Sequence, residues 1–332
     1  MNNVGLYPLV QNETIKIWKK KRFVVIILLL LALIPIFTYA QMKVAQTNQK
    51  QFGSQDWRLV TQQQINDYSN RLASSRVPEE WKKVMRVQMR VLQYYLDKDV
   101  DPKAPNGVTF TVQFMANAIG LFIPLMVMVI ASDLVSSEHS TGTIKLLLTR
   151  PVQRWKVLAS KYIALIFYIS LTVFATTALA YLISGLVFGY GGWNLPSFTG
   201  FKVVGTEVDM SYVHPVPQWL YLLMELGLVW FSATIVGLMS LMVSVLLRST
   251  AAGMGVMLAV IIAGNILTNM VSSWETAKYF FMVNLTLTDY LSGRLPPIEG
   301  MTLGFSMIVL AVWGIASLLV SFTVFMRKDI LN

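Results

Sequence analysis

Few residues in this sequence have the types and spacings that support catalysis. Its two histidines are His139 and His214, and the apolar runs between them predict that they lie on opposite sides of a membrane. The sequence contains no His-Glu-x-x-His, and no two carboxylates lie at helical spacing within an apolar run. It therefore lacks the side chains for metal-dependent hydrolysis and for intramembrane aspartyl chemistry.

A phosphate-binding loop is also missing from the sequence. The nearest spacing, Gly200 with Gly205, is followed by Thr206 and contains no lysine. We therefore predict no catalytic residue, no cofactor ligand and no metal ligand, and we do not expect an enzyme. Any work that the chain does with ATP must come from a separate subunit that carries the ATP and magnesium.

Glu225 lies inside an apolar run, about six residues from its start. Charged residues within membrane helices are costly and usually face an interior or a cavity. Glu225 is therefore a candidate for a substrate path that attracts a cationic or amphipathic molecule. The equal alternative is that Glu225 lies at a shallow depth, where its side chain reaches the membrane surface or pairs with a lysine. Three asparagines are further candidates for the path, although asparagine in a membrane helix more often joins helices by hydrogen bonds: Asn117, Asn265 and Asn269.

The composition indicates an integral membrane protein. Of 332 residues, 55% are hydrophobic and only 13% are charged, whereas soluble domains carry about 25% charged residues. The formal net charge is +10, but the basic residues cluster at the ends of apolar runs. There they set the topology and meet anionic lipid, so we expect membrane lipid and no nucleic acid as a partner. The absence of cysteine excludes disulfides.

The pattern predicts an all-α polytopic protein with six transmembrane helices and both termini in the cytoplasm, and we expect it in a cell membrane, the bacterial plasma membrane. Residues 1–22 form an amphipathic cytoplasmic helix or a charged flank, 41–111 an external helical hairpin, and 279–291 a re-entrant or interfacial segment. Residues 112–332 hold five of the spans. The six predicted spans are 23–40, 112–132, 162–188, 219–247, 254–271 and 301–326.

The segment 133–161 is a short basic interruption between the second and third spans. It carries five cations against two acids, which predicts a cytoplasmic loop. Ser140 can cap a short helix, and Gly142 permits close backbone approach. Residues 143–148 favour a helix, and Pro151 ends it and can open the next one. The expected structure is a bent basic segment at the membrane face.

This segment resembles the first cytoplasmic loop of type-2 ABC exporter permeases. The resemblance rests on Glu138-x-x-x-Gly142-Thr143-x-x-x-Leu147-Leu148-x-Arg150-Pro151-Val152-x-Arg154-Trp155. In that family the loop forms the coupling helix, which sits in a groove of a separate ATPase subunit. The resemblance therefore implies ATPase-coupling roles for eight residues: Glu138, Ser140, Gly142, Thr143, Leu147, Arg150, Pro151 and Arg154.

The resemblance further implies a permease that pairs with a second copy or a similar permease and carries two ABC ATPase subunits. Hydrolysis in those subunits would drive export of an amphipathic substrate, such as a drug, an antimicrobial peptide or a lipid. Two other functions stay open at this point. A secondary transporter needs ionisable residues near the membrane midplane, and a sensor or scaffold would use the external helices for display.

Overall fold

The computed structural model describes residues 5–52, 56–143, 152–247, 249–268, 270 and 274–327. Within these residues, six helical stretches are long and apolar enough to cross a membrane, as the sequence predicts. The protein is therefore a predominantly helical, multi-pass membrane protein. The six stretches are Arg22–Thr47, Phe122–Ser140, Arg154–Phe188, Gln218–Leu246, Thr250–Thr268 and Leu303–Arg327.

The described residues form twelve α-helices, two short 3₁₀-helices and four short β-strands. In chain order the α-helices are α1 (Leu6–Lys19), α2 (Arg22–Phe52), α3 (Trp57–Ala73), α4 (Glu79–Asp97), α5 (Gly107–Ala118), α6 (Phe122–Ala131), α7 (Ser136–Ser140), α8 (Arg154–Phe188), α9 (Gln218–Leu246), α10 (Thr250–Thr268), α11 (Asp289–Ser292) and α12 (Leu303–Arg327). The 3₁₀-helices are Glu275–Tyr279 and Phe281–Asn284.

The second apolar run is broken rather than continuous. Helix α5 ends at Ala118 and α6 begins at Phe122. Pro124 is the third residue of α6, where its missing N–H costs no intrahelical hydrogen bond. The expectation of a single kinked span over 112–132 is corrected: the chain breaks just before the proline, and Gly120 lies in the break.

Helix α8 extends well beyond the predicted third span. Helix α8 begins at Arg154 rather than at residue 162, and its 35 residues correspond to about 50 Å at about 1.5 Å per residue. The hydrocarbon core of a bilayer is about 30 Å thick. The first turns of α8 are therefore a rigid extension of the membrane helix, and they include Lys161.

The polar regions between the spans pack together at one end of the bundle. Helices α3 and α4 pack against each other, and α4 also packs on strands of the loop that precedes α9. In that loop β1 (Pro196–Thr199) pairs with β4 (His214–Pro217), and β2 (Lys202–Val204) pairs with β3 (Glu207–Asp209), both antiparallel. Val87 of α4 is fully buried against Phe198, Phe201 and Val208. These strands add a small β element to a fold predicted as all-α.

The segment between α10 and α12 does not span the bundle. Its two 3₁₀-helices and α11 are too short to cross, as the sequence predicts for residues 279–291. The segment packs into the bundle: Ser232 of α9 donates a hydrogen bond to the Leu285 carbonyl at 2.9 Å. Gly264 of α10 makes room for Met282, whose Cβ would lie 2.3 Å from any Cβ added at that glycine.

Candidate functional site: an ion-pair cluster at the base of the basic segment

Lys161 lies at the centre of a buried ion-pair cluster. Its side chain is fully buried, and Nζ lies 2.8 Å from Glu13 Oε2, 2.8 Å from Glu138 Oε1 and 2.9 Å from the Leu134 carbonyl. A lysine ammonium has three protons to donate. All three therefore have acceptors, which offsets the cost of burying the charge.

A second lysine completes the charge balance of this cluster. Lys16 of α1 lies 2.6 Å from Glu13 Oε1 and 2.9 Å from Glu138 Oε1. Burial lowers the pKa of Lys16, but the charges of Glu13 and Glu138 outweigh burial and raise the pKa above its ordinary value of 10.5. Lys16, Lys161, Glu13 and Glu138 thus form a neutral quartet that joins three elements: α1, α7 and α8.

A second set of ion pairs lies beside the quartet. Lys20 Nζ and Arg22 Nη2 lie 2.8 Å and 2.9 Å from Asp133 Oδ2. Lys20 also donates to Ser137 Oγ at 2.8 Å. The carboxylate of Asp133 therefore holds the turn between α1 and α2 against the end of the second span. We call Lys20, Arg22, Asp133 and the quartet, seven residues in all, the ion-pair cluster.

The backbone of the same stretch is held from the opposite side. Ser244 Oγ, on α9, accepts hydrogen bonds from the N–H groups of Val135 and Ser136 at 3.2 Å and 3.0 Å. Ser136 Oγ lies 3.0 Å from the hydroxyl of Thr250 at the start of α10. Residues 133–138 are thus fixed to five helices, α1, α2, α8, α9 and α10, by side-chain contacts.

The basic segment leaves this fixed base through a glycine turn. Ser140 ends α7 rather than beginning a helix, since its hydroxyl donates back to the Ser137 carbonyl at 3.0 Å. Gly142 follows with a left-handed φ of 69°. The hydroxyls of Thr141 and Thr143 then lie 2.9 Å apart. Three of the predicted coupling residues, Leu147, Arg150 and Pro151, lie outside the described residues.

The segment rejoins the bundle at Arg154, the first residue of α8. Arg154 Nη1 donates to the Met326 carbonyl in the last turn of α12 at 3.1 Å. A basic side chain at a helix C-terminus satisfies a carbonyl that has no partner within the helix. The N-terminal helix, both ends of the basic segment and the end of the last helix therefore all lie at one end of the bundle.

The predicted path residues do not converge on one site. Glu225 is buried, and its Oε2 has no hydrogen-bond partner among the described residues. Asn265 lines a cavity of about 340 Å³ near α4. Asn117 lines a different crevice, between α2 and α5, and donates to the Gln113 carbonyl at 2.8 Å. Asn269 lies outside the described residues.

The sequence pattern did not predict the cluster, although a signal for it exists. Lys161 is the last residue of the basic segment, one residue before the predicted start of the third span at residue 162. The signal is that Glu13, Asp133 and Glu138 are acids within stretches rich in lysine and arginine. Among the described residues, no three His, Asp or Glu side chains are grouped to hold a metal ion, and the ion-pair cluster therefore stands as the candidate site.

The family match includes one side of this cluster. The model of a family described as "Protein of unknown function (DUF2705)" matches residues 83–331, about three quarters of the chain. The chain belongs to this family. The matched region contains Asp133, Glu138 and Lys161, whereas their partners on α1 and at the start of α2 lie outside it.

Two relatives from Bacillus subtilis (strain 168) share the matched region in part. The chain is 29% identical over 240 residues to the "Uncharacterized protein YhcI", covering 71% of this chain and 74% of the relative. It is also 29% identical over 218 residues to the "Uncharacterized membrane protein YdbK", covering 64% of this chain and 80% of the relative. The second name agrees with the membrane helices of this DUF2705 member.

Proposed function

We propose that this protein is the membrane-spanning subunit of an ATP-driven exporter of the type-2 ABC class. In this proposal two separate ATPase subunits dock on the basic segment of a pair of permeases, each a copy of this chain or a similar one. The ATPase subunits supply ATP and magnesium, and this chain supplies the path for an amphipathic substrate. The proposal combines the sequence resemblance over residues 138–155 with the contacts that hold residues 133–138 in the structure.

The ion-pair cluster is the observation that carries the proposal. A loop that receives force from a partner can move membrane helices only if its base is stiff. Residues 133–138 are tied by short charge-assisted contacts to α1, α2 and α8, and by Ser244 to α9. Charge-assisted hydrogen bonds are about twice as strong as neutral ones. A push on the segment would therefore displace several helices together.

The position of the segment favours a cytoplasmic location in this proposal. The N-terminal helix, the basic segment and the end of α12 lie at one end of the bundle, and this end carries Lys16, Lys20, Arg22 and Arg154. An excess of Lys and Arg marks the cytoplasmic side of membrane proteins. Both termini would then be cytoplasmic, and the α3–α4 pair with the strands would be external.

A pairing surface is available on α10. Only 22% of the most apolar stretch of α10 is buried within the protein, against 61% for α9. Small residues that let helices approach closely lie on the exposed side of α10, including Ala251, Ala252 and Gly255. We therefore assign α10 to the interface with the second permease, where part of its exposed surface would be covered.

The test is a search of the neighbouring genes for an ABC-type ATPase, co-purification of its product with this chain, and measurement of stimulated ATP hydrolysis. The informative pair of variants is at Gly142. Placing an L-residue in the left-handed backbone conformation of Gly142 costs about 1–2 kcal/mol relative to glycine, but Asn adopts this conformation more readily. No described atom lies within 4 Å of a Cβ added there, so steric clash does not confuse the comparison.

We expect Gly142→Ala to reduce ATPase association or stimulated hydrolysis severalfold, and Gly142→Asn to retain most of it. Arg90→Ala, on α4 at the opposite end of the bundle, is the matched control and should behave like the unaltered protein. Full activity of both Gly142 variants would remove the coupling role. Transport by the purified chain without any ATPase would instead favour a secondary transporter.

A further inference from the structure

A cavity of about 340 Å³ lies between α4, the break between α5 and α6, α10 and the non-spanning segment before α12. This volume falls within the range of small-molecule sites, about 300–1,000 Å³. A second cavity of about 280 Å³ adjoins it across Pro296 and Pro297 and shares Glu80 with it. Together they form an elongated groove, and neither belongs to the ion-pair cluster.

One side of the cavity carries a carboxylate that is held in place. Asp289, on α11, accepts a hydrogen bond from Arg294 Nη1 at 3.1 Å, and Thr286 bonds to the same carboxylate. Only 25% of the Asp289 side chain is exposed. Burial raises the pKa of Asp289 above its ordinary value of 3.8, although Arg294 acts in the opposite direction. One arginine therefore does not fully compensate for the buried charge.

Among the described residues, carboxylates outnumber cations on the lining of the cavity by one. The carboxylates are Glu80 and Asp289, and the cation is Arg294. Behind them lies the buried Glu225, on which the charges of Arg294 and Asp289 both act, and whose Oε2 has no partner among the described residues. Farther out, Lys83 pairs with Glu80 at 3.5 Å, and Lys103 near Arg294 is accompanied by Asp101.

The remaining walls are apolar or carry neutral hydrogen-bonding groups. Trp81 and Val84 of α4 face Ile261 of α10 and Met282 of the non-spanning segment, and Asn265 lies one turn along α10. Aromatic faces attract cations as well as apolar groups. A molecule that fits this lining has an apolar body and a positive charge.

We propose that this cavity is a binding site for an amphipathic cation, with Asp289 as the residue that pairs with the positive group. Trp81 and its apolar neighbours hold the body of the molecule, while Arg294, which bonds the same carboxylate, competes with the bound cation for Asp289. Because α4 forms one wall, the polar region between the first two spans takes part in binding. The inference rests on the proposed function only in identifying the bound cation as export cargo.

The test uses two ions of the same shape and opposite charge. The full chain is placed in phosphatidylcholine nanodiscs, and binding of tetraphenylphosphonium and of tetraphenylborate is measured by equilibrium dialysis against empty nanodiscs. We expect saturable binding of the phosphonium and none of the borate. Asp289→Asn should weaken phosphonium binding about tenfold or more, since it removes the carboxylate charge that attracts the cation in a partly buried site. Asp67→Asn, an exposed change on α3, should have no effect.

Two further variants separate loss of binding from loss of fold. Gly120→Val places a side chain against Thr286, 3.2 Å from the position of an added Cβ, and should reduce binding by filling the cavity. Arg294→Gln removes the competing cation and should strengthen binding severalfold. Equal binding of both ions, no saturable phosphonium binding, or an unchanged affinity in Asp289→Asn would each overturn the site.

The two proposals fail separately in these experiments. If charge-selective binding depends on Asp289 but no ATPase associates with the chain, the cavity stands and the exporter proposal falls. If the ATPase associates and is stimulated but neither ion binds selectively, the exporter proposal stands and the cavity falls.

Discussion

At the scale of the residue, Lys161 shows how a buried charge joins distant parts of the chain. Its three proton acceptors come from α1, from Glu138 and from the backbone before α7. Replacing Lys161 by Met leaves Glu13 and Glu138 with only Lys16. Breaking a buried pair in this way costs about 3–5 kcal/mol, and we expect a loss of that size in the free energy of unfolding, measured by thermal unfolding in detergent.

The double variant Lys161→Met with Glu13→Gln checks the origin of this loss. It restores neutrality, with Lys16 facing Glu138, so we expect it to be more stable than Lys161→Met alone by about 1–3 kcal/mol, the usual coupling between contacting residues. Lys202→Met, an exposed change on β2, should lie within about 0.5 kcal/mol of the unaltered protein. Additive losses in the double variant would show that the charges do not interact.

Asp289 gives a prediction about how the stability of the protein changes with pH. Its pKa is higher in the folded protein than the unfolded value of about 3.9. The folded state therefore binds the proton more tightly, and stability falls as pH rises from the unfolded pKa through the folded pKa. Asp289→Asn removes this fall. We expect Tm to fall less in Asp289→Asn than in the unaltered protein as pH rises above about 4, measured by thermal unfolding at a series of pH values.

At the scale of the element, hydrophobic pattern predicted the helices well and their junctions poorly. Long apolar runs identify spans because every backbone group must be bonded within lipid, and six runs correspond to six helical stretches. The break near Gly120 depends on Pro124 together with packing of the neighbouring segment, which pattern alone does not contain. The β2–β3 turn had a local sequence signal, because Gly205 opens the two-residue loop between Val204 and Glu207. The structure places Gly205 at a positive φ of 61°.

Gly264 tests whether the non-spanning segment is held by α10. A Cβ at this position would lie 2.3 Å from Met282 Cβ, so Gly264→Ala must push the segment away. Overpacking of this kind costs about 1–3 kcal/mol. Gly227, in the interior of α9, has no described atom within 4 Å of an added Cβ, and Gly227→Ala should be neutral or stabilising by up to about 1 kcal/mol.

Thermal unfolding of the two glycine variants in one detergent gives the comparison directly. A lower Tm for Gly264→Ala alone supports close packing of Met282 on α10. Equal Tm values would mean that the segment moves aside without cost. It would then be a loose loop rather than a packed wall of the cavity.

At the scale of the whole molecule, contacts that no sequence pattern contains bring the N-terminal helix, the basic segment and the last helix to one end. Glu13 and Lys161 are 148 residues apart in sequence, and Arg154 and Met326 are 172 apart. Charge counts predicted the side on which each loop lies, but pairing of particular charges needs the packed helices. For this reason the ion-pair cluster emerged from the structure, whereas the basic segment was recognisable in the sequence.

The proposed topology is testable because the chain has no cysteine, so that each introduced cysteine is unique. Lys19→Cys and Ser140→Cys lie at the end of the bundle that holds the ion-pair cluster, and Tyr212→Cys lies among the strands at the other end. All three positions are exposed. In intact cells a membrane-impermeant maleimide should label only Tyr212→Cys, and permeabilisation should expose Lys19→Cys.

Labelling of Ser140→Cys in intact cells would show that the basic segment faces the exterior, and it would contradict the proposed coupling role of that segment. Shielding of Ser140→Cys in permeabilised cells, relieved when the ATPase gene is deleted, is the result expected if a partner sits on the segment.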